Sequence, residues 1–146
     1  MTPIHDDKPS DASMRRVIYP QFGGPEVLQV ATGPVPEPAP GQVLIRVHGA
    51  GLNPIDWKTR KGLGFAARQI ESRLPWTPGY DVAGEVAAVG AGVTTLVPGD
   101  RVMGLVGFPT EGGGYAEYAL ARADELALVP GELDLVTAGA VPLAAL

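Results

Sequence analysis

Glycine and proline interrupt this chain at short intervals along its whole length. With 20 glycines and 15 prolines, they make up about a quarter of the 146 residues, and they are spread out rather than blocked. Breaks this frequent leave room only for short elements joined by tight turns, which is typical of an all-β sandwich or barrel. We therefore predict an all-β domain with a few short helices, built around one core.

The clearest strand prediction covers Gln42 to Leu52, where apolar and more polar residues alternate. Val43, Ile45 and Val47 share one face of it, and Leu44 lies on the other. A hairpin and four later apolar runs give the remaining predicted strands, which are Arg15–Tyr19, Val27–Ala31, Val82–Val89, Arg101–Val106, Tyr115–Ala119 and Leu126–Val129.

Two helical stretches are predicted between these strands. Asn53 is a favoured N-cap and Pro54 suits a first helical turn, so a short helix is expected over Ile55–Lys61, ending at Gly62. A second stretch covers Phe65–Leu74.

The ends of the chain differ from its middle. Residues 1–13 are polar and acidic without periodicity and are predicted to be a disordered leader, which leaves 14–133 as the domain. Residues 134–146 begin with a capping Asp134 and then lose all charge. Because no helix stop signal follows, we expect this segment to be the start of a linker helix that leads into further structure.

Composition narrows the classes of function. The net charge is −5, without a basic cluster, which disfavours nucleic acid, and no apolar run is long enough to predict a membrane partner. Without a basic-then-apolar leader, a cytoplasmic location is expected. There is no cysteine, and the only histidines are His5 and His48, so no metal site is predicted.

The glycine clusters do not form a dinucleotide fingerprint. Gly49-Ala50-Gly51, Gly90-Ala91-Gly92 and Gly112-Gly113-Gly114 each lack the further glycine and the strand–turn–helix setting that a pyrophosphate needs. No complete nucleotide site is therefore predicted within these residues.

The turn from Gly51 to Gly62 holds the candidate chemistry. The amide of Asn53 could hold a carbonyl or a carboxamide, with Lys58 and Arg60 as nearby cations. In the alternative, Asn53 only caps the helix, and the two cations belong to a solvated face. The residues by themselves leave both interpretations open.

Four ordered motifs make the pattern more specific. Read together, they resemble the N-terminal domain of zinc-free quinone oxidoreductases (the zeta-crystallin type) of the medium-chain dehydrogenase/reductase superfamily. The motifs are Gly51-Leu52-Asn53-Pro54-Ile55-Asp56-Trp57-Lys58, Pro78-Gly79-Tyr80-Asp81-Val82-Ala83-Gly84-Glu85-Val86, Gly99-Asp100-Arg101-Val102 and Gly113-Gly114-Tyr115-Ala116-Glu117-Tyr118.

The resemblance implies a GroES-like β-barrel that C-terminal strands complete after a nucleotide-binding Rossmann domain, with that domain and those strands outside this chain. Zinc-dependent relatives carry Cys near Asn53 and His-Glu in place of Tyr80-Asp81, so the likeness is to the zinc-free branch. It further implies hydride transfer from NADPH to a quinone or to an enone β-carbon. Asn53 is the implied catalytic and nicotinamide-contacting residue, and Lys58 and Arg60 are further implied cofactor contacts.

Several functions follow as expectations. The first is the catalytic-domain part of an NADPH-dependent reductase, inactive without its Rossmann domain in cis, with a small quinone or enone as substrate and a homodimer as the assembly. The second is a stand-alone GroES-like module that oligomerises through the apolar tail 138–146. The third is an enoyl-thioester reductase domain.

Overall fold

A computed structural model describes residues 12–146, so residues 1–11 of the predicted leader lie outside the described residues. Every strand pairing in it is antiparallel. Two strands form a separate sheet, β1 (Ser13–Ile18) and β2 (Gln29–Pro34). The other five form one sheet in the order β6-β3-β4-β5-β7, with bounds β3 Gln42–Ala50, β4 Asp81–Val89, β5 Arg101–Leu105, β6 Tyr118–Arg122 and β7 Ala127–Leu128.

Within the described part of the chain, four short helices interrupt or follow the sheets: α1 Pro54–Arg60, α2 Gly64–Ile70, α3 Leu135–Ala138 and α4 Pro142–Ala145. Single 3-10 turns cover 25–27, 71–73 and 123–125. Within residues 12–146, no helix has the length and apolar character needed to cross a membrane.

The interior strand β3, between β6 and β4, is covered on both faces. Val43 and Ile45 point into the main core with Val82 and Val102 of the neighbouring strands. Leu44 points the opposite way and is only 1% exposed, because Met14 of β1 and Val35, directly after β2, pack against it. The expected polar face of this strand is therefore apolar at its first half, and the two-stranded sheet acts as its cover.

The predicted fold class is confirmed. The described residues are mostly β with short helices, and the five-stranded sheet is open, with β6 and β7 as its edges. No parallel β-α-β unit, the building block of a Rossmann domain, occurs among residues 12–146. The predicted helix over Ile55–Lys61 is also present, and Gly62 ends it with φ +79°.

Some boundaries were wrong for identifiable reasons. The strand predicted at Tyr115–Ala119 begins only at Tyr118, because Gly113 has a left-handed φ of 101° and the backbone of Tyr115 donates to Pro78 O and accepts from Val17 N instead of pairing with β3. The second helix ends at Ile70 and continues as a 3-10 turn. Strand β2 begins at Gln29 because a 3-10 turn occupies the expected start of the return strand.

The last segment forms two short helices rather than one. Asp134 caps the first of them as predicted, since its Oδ1 accepts a hydrogen bond from Thr137 N at 2.8 Å. The chain then turns at Gly139, and Pro142 starts the second helix. Proline suits a first helical turn but would remove a backbone donor within a continuous helix, which explains the break.

Candidate active site

Asn53 lies where β3 has ended and α1 begins. Its backbone is extended, with φ −123° and ψ 160°, as expected at an N-cap. Its backbone N–H donates to Asp56 Oδ2 at 2.8 Å, so the carboxylate of the first helical turn reaches back to the cap residue. The start of the helix thus depends on Asp56 as well as on Asn53.

The side chain of Asn53 is held from the opposite side, by Asp81 at the start of β4. Its Nδ2 donates to Asp81 Oδ2 at 2.8 Å. Because an ionised carboxylate only accepts hydrogen bonds, this contact turns the amide nitrogen towards Asp81 and the amide oxygen away from it. Asn53 is half-buried, so the amide remains within reach of a ligand.

Asp81 is fully buried and joins three parts of the chain. Besides the bond from Asn53, its Oδ1 accepts from Leu143 N at 3.0 Å, and its backbone carbonyl accepts from Gly51 N at 3.1 Å. A buried carboxylate is tolerated only when hydrogen bonds replace its hydration. The donors here come from the turn after β3 and from the C-terminal segment.

Asp56 is the second buried carboxyl of this junction, with 5% of its surface exposed. Its Oδ1 has no hydrogen-bond partner among the described residues. Burial raises the pKa of Asp56 above its ordinary value, the Asn53 N–H opposes that rise, and the charge of Asp81 adds to it. Burial and then the charge of Asp56 likewise raise the pKa of Tyr115.

Glycines allow the turn after β3 to lie close to the C-terminal segment. A Cβ on Gly51 would lie 2.6 Å from Gly139 O and 2.8 Å from Asp81 Oδ2. A Cβ on Gly139 would lie 2.6 Å from the carbonyl carbon of Gly49. Residues 135–143 therefore rest directly on the end of β3 at positions where no side chain fits.

The structure does not bring the two predicted cations together with Asn53. Lys58 is exposed, and its Nζ lies 5.6 Å from the centre of the Trp57 ring. Arg60 donates through Nε to the carbonyl of Gly23, 3.3 Å away. Neither side chain is hydrogen-bonded to Asn53 or to Asp81 among the described contacts.

Sequence reasoning missed the partners of Asn53. The sequence singles out Asp81 only as part of the pair that replaces His-Glu, and Asp56 only as a member of the motif that begins at Gly51. One signal was available for Asp81: a carboxylate stands directly before the apolar run of β4, where a buried strand begins. Nothing in the sequence indicated that Leu143 would return to this carboxylate.

His48, the histidine within the described residues, faces Glu85 on the surface, with Nε2 3.9 Å from Oε1. Among residues 12–146, no three His, Cys, Asp or Glu side chains gather closely enough to hold a metal ion.

The antiparallel sheets and the junction around Asn53 define a known class of domain. The sequence profile described as "Alcohol dehydrogenase GroES-like domain" matches residues 39–131. This chain therefore belongs to the alcohol dehydrogenase GroES-like domain family, and the predicted resemblance is confirmed at that level.

Within this family, the chain is similar to several oxidoreductases. A quinone oxidoreductase of Sus scrofa is 43% identical over 122 residues, which cover 83% of this chain and 35% of the relative. An NADPH-dependent alkenal/one oxidoreductase of Arabidopsis thaliana, a chloroplastic protein, is 40% identical over 137 residues, covering 90% of this chain and 35% of the relative. The structure of the quinone oxidoreductase from Coxiella burnetii matches with a TM-score of 0.88 and 42% identity, over 91% of this chain and 42% of that one.

The chain thus spans about a third of the length of the curated relatives it matches. The shared part contains β3, α1, β4 and the junction between them. The likeness accordingly concerns the domain that carries Asn53.

Proposed function

We propose that this chain is the catalytic-domain part of an NADPH-dependent oxidoreductase that reduces quinones or α,β-unsaturated carbonyl compounds by hydride transfer. The observation that carries the proposal is the Asn53 amide, half-buried at a strand end and oriented by the buried Asp81. The names of the relatives support it, because quinone reduction and alkenal/one reduction are both among them.

The residues present fit one end of the cofactor. Asn53 has an amide oxygen directed away from Asp81 and a second N–H on Nδ2, so it can accept from a carboxamide and donate to a carbonyl. Lys58 is exposed, and its ammonium could meet a phosphate, while Arg60 keeps guanidinium donors besides the Nε bonded to Gly23. The pyrophosphate has no glycine-rich strand–turn–helix unit within residues 12–146.

The chemistry then divides between the cofactor and the chain. NADPH, when bound, supplies the hydride. Asn53 orients the reacting carbonyl through a donor that Asp81 holds in place, and this is the kind of pre-organised contact that stabilises charge developing on oxygen. The closing proton comes from solvent or a nearby acid.

We also propose that the reaction needs no zinc. Asn53 stands where the zinc-dependent branch carries a cysteine, and its amide is engaged with Asp81. Tyr80, which stands in place of the branch's histidine, is buried and donates its hydroxyl to Pro109 O at 2.8 Å. Both side chains therefore have other partners.

The remaining organisation follows from the same proposal. Residues 14–133 form the GroES-like domain, residues 134–146 lead towards a Rossmann domain in cis, and the enzyme acts as a cytoplasmic homodimer. The 146 residues alone are expected to be inactive. The interaction-module and enoyl-thioester alternatives remain predictions of the sequence.

The test joins this chain to the nucleotide-binding half of the Sus scrofa relative and follows the loss of NADPH absorbance with a naphthoquinone. We expect turnover, and we expect Asn53→Ala to lower kcat/KM by about 100-fold, the usual cost of one such donor. Gln69→Ala, an exposed change on α2, is the matched control and should keep full activity.

Two results would contradict the proposal. One is rapid quinone reduction by the 146-residue chain by itself, since the site would then need no second domain. The other is an Asn53→Ala enzyme as active as the Gln69→Ala control.

A further inference from the structure

We propose that Asp81 is a positioning residue that makes the orientation of the Asn53 amide depend on how residues 134–146 are seated. The catalytic meaning of this inference rests on the proposed function. The coupling itself is a property of this chain and can be measured without cofactor or substrate.

The first step is the choice of amide orientation. An asparagine side chain can present either oxygen or nitrogen in a given direction, and the two ends differ as acceptor and donor. Asp81 offers Oδ2 at 2.8 Å from Asn53 Nδ2, and a carboxylate oxygen has no hydrogen to give. The flipped amide would set two acceptors against each other inside a buried site, so one orientation is selected.

The second step concerns what holds Asp81. Its other oxygen accepts from Leu143 N at 3.0 Å, and the Asp81 side chain that accepts both bonds has no exposed surface. If the C-terminal segment shifts, Oδ1 loses its donor while it is still buried. The carboxylate must then rotate or shift towards another donor, and its contact with Asn53 changes with it.

The third step is the contact that keeps the C-terminal segment in place. Gly139 lies so close to this turn that a Cβ on Gly139 would be 2.6 Å from the carbonyl carbon of Gly49, and a Cβ on Gly51 would be 2.6 Å from Gly139 O. Close-packed backbones have few intermediate arrangements, so a displacement at Gly139 is passed on rather than absorbed. Leu143 follows four residues later, within the same segment.

The consequence is that Asn53 is ready to contact a ligand only while residues 134–146 are seated. Anything that moves this segment, in cis or through an added domain, would change the direction of the amide oxygen. Asp81 acts entirely through Asn53 in this account and need not touch a ligand.

Asn53 is the only asparagine of the 146 residues, which makes the test direct. Labelling with 15N-asparagine gives one side-chain NH2 pair in the NMR spectrum of the chain. We expect two well-separated proton shifts, and exchange with solvent about fivefold to tenfold slower than in free asparagine, as one net hydrogen bond provides.

Variants at a distance then test the coupling. Gly139→Ala should move the two Asn53 side-chain shifts together and remove the slow exchange, although residue 139 is not bonded to Asn53. Gly131→Ala is the matched control, because a Cβ there meets nothing within 4 Å. Leu143→Ala is a second control, because it keeps the backbone N–H that Asp81 accepts.

A charge-swapped pair separates positioning from simple loss of folding. Asp81→Ala, which keeps Asn53 as the single asparagine, should abolish the protected signal at Asn53. Asn53→Asp alone should lower the thermal midpoint, because it sets two carboxylates against each other at this buried contact. Adding Asp81→Asn to Asn53→Asp places donor and acceptor in reversed order, so the thermal midpoint should recover towards wild type, and one protected NH2 pair should return from the amide now at position 81.

Three results would overturn the inference. The first is an Asn53 signal in Gly139→Ala like that of Gly131→Ala while the chain stays folded. The second is a protected signal that survives Asp81→Ala, and the third is a swapped pair no more stable than Asn53→Asp alone. If Gly139→Ala does not fold, the other two criteria still decide. None of these readings involves NADPH or a quinone, so they fail or hold independently of the proposed function.

Discussion

The two halves of strand β3 are packed in opposite ways. From Val43 to Ile45, branched apolar side chains are fully buried on both faces of the sheet. From Gly49 to Gly51, the same strand and the turn after it have almost no side chain, and they contact backbone and a buried carboxylate instead. One continuous segment therefore supplies both the stability of the domain and the support of its candidate site.

The difference matters because the two kinds of contact fail differently. Burying an apolar side chain contributes about 1.5–3 kcal/mol, and a lost methyl group leaves a void that neighbours partly fill. At the glycine half, little apolar area is buried, but every polar atom needs its partner and every added atom meets backbone. Substitutions in the first half should therefore lower the stability of the domain, and substitutions in the glycine half should change the geometry of Asn53.

Ile45→Ala should give the largest effect on stability. Ile45 has no exposed surface and belongs to the main core, so removing its branched side chain should lower the free energy of unfolding by about 2–5 kcal/mol. Urea unfolding measures this, with Val30→Ala as the control, because Val30 is 74% exposed. If the two variants lost equal stability, the first half of β3 would not be part of the stabilising core that its packing indicates.

Gly51→Ala sharpens the comparison from the other half. The new Cβ would press on Gly139 O and on Asp81 Oδ2, and such overpacking usually costs about 1–3 kcal/mol. Gly33→Ala adds the same methyl group to β2, where nothing lies within 4 Å, and it should be neutral or slightly stabilising. Equal urea midpoints for these two variants would show that the junction yields more readily than close-packed backbone should.

Asp56→Asn should have the smallest effect on the free energy of unfolding, and that effect should depend on pH. The raised pKa means that folded Asp56 binds its proton more tightly than unfolded Asp56, so its contribution to stability is lost as the pH rises through the folded pKa. The amide oxygen of the variant can still accept from Asn53 N–H. We expect the variant to gain stability relative to wild type as the pH rises above about 4, the ordinary pKa of an unfolded Asp, in urea unfolding.

In that pH series, the informative quantity is the difference in the free energy of unfolding between wild type and Asp56→Asn. Other carboxyls, such as Glu85 and Glu117 beside arginines, have lowered pKa values and contribute the opposite slope in both proteins. A difference that stays constant with pH would mean that burial does not penalise the Asp56 carboxylate.

Much of the fold could be predicted from local sequence patterns. The alternation in β3, the Asn53-Pro54 start of α1 and the frequent turns are local properties, so the all-β class and the first helix were predictable. Tyr115 shows the limit of such reasoning. Its run predicts a strand of the main sheet, but its backbone bonds to Pro78 and Val17, which are distant in the sequence, and the strand begins only at Tyr118.

The candidate site was predictable only in part for the same reason. Asn53 could be singled out, yet its two readings, cap or ligand contact, depended on which way the amide points. That direction is decided by Asp81, which is 28 positions away, and Asp81 is in turn bound by Leu143, 62 positions further on. Contacts of this range leave no periodic trace along the chain.

The open edges of the five-stranded sheet have a consequence for behaviour at high concentration. An unpaired edge strand can template the addition of another chain, and short or partly covered edges limit this. Strand β7 has only two residues, and the segment leading into β6 is already bonded to β1, where Glu117 N donates to Arg15 O and Val17 N donates to Tyr115 O. The short β7 and the bonded segment before β6 therefore limit the free edge at these two places, in the same strand arrangement that supports the site.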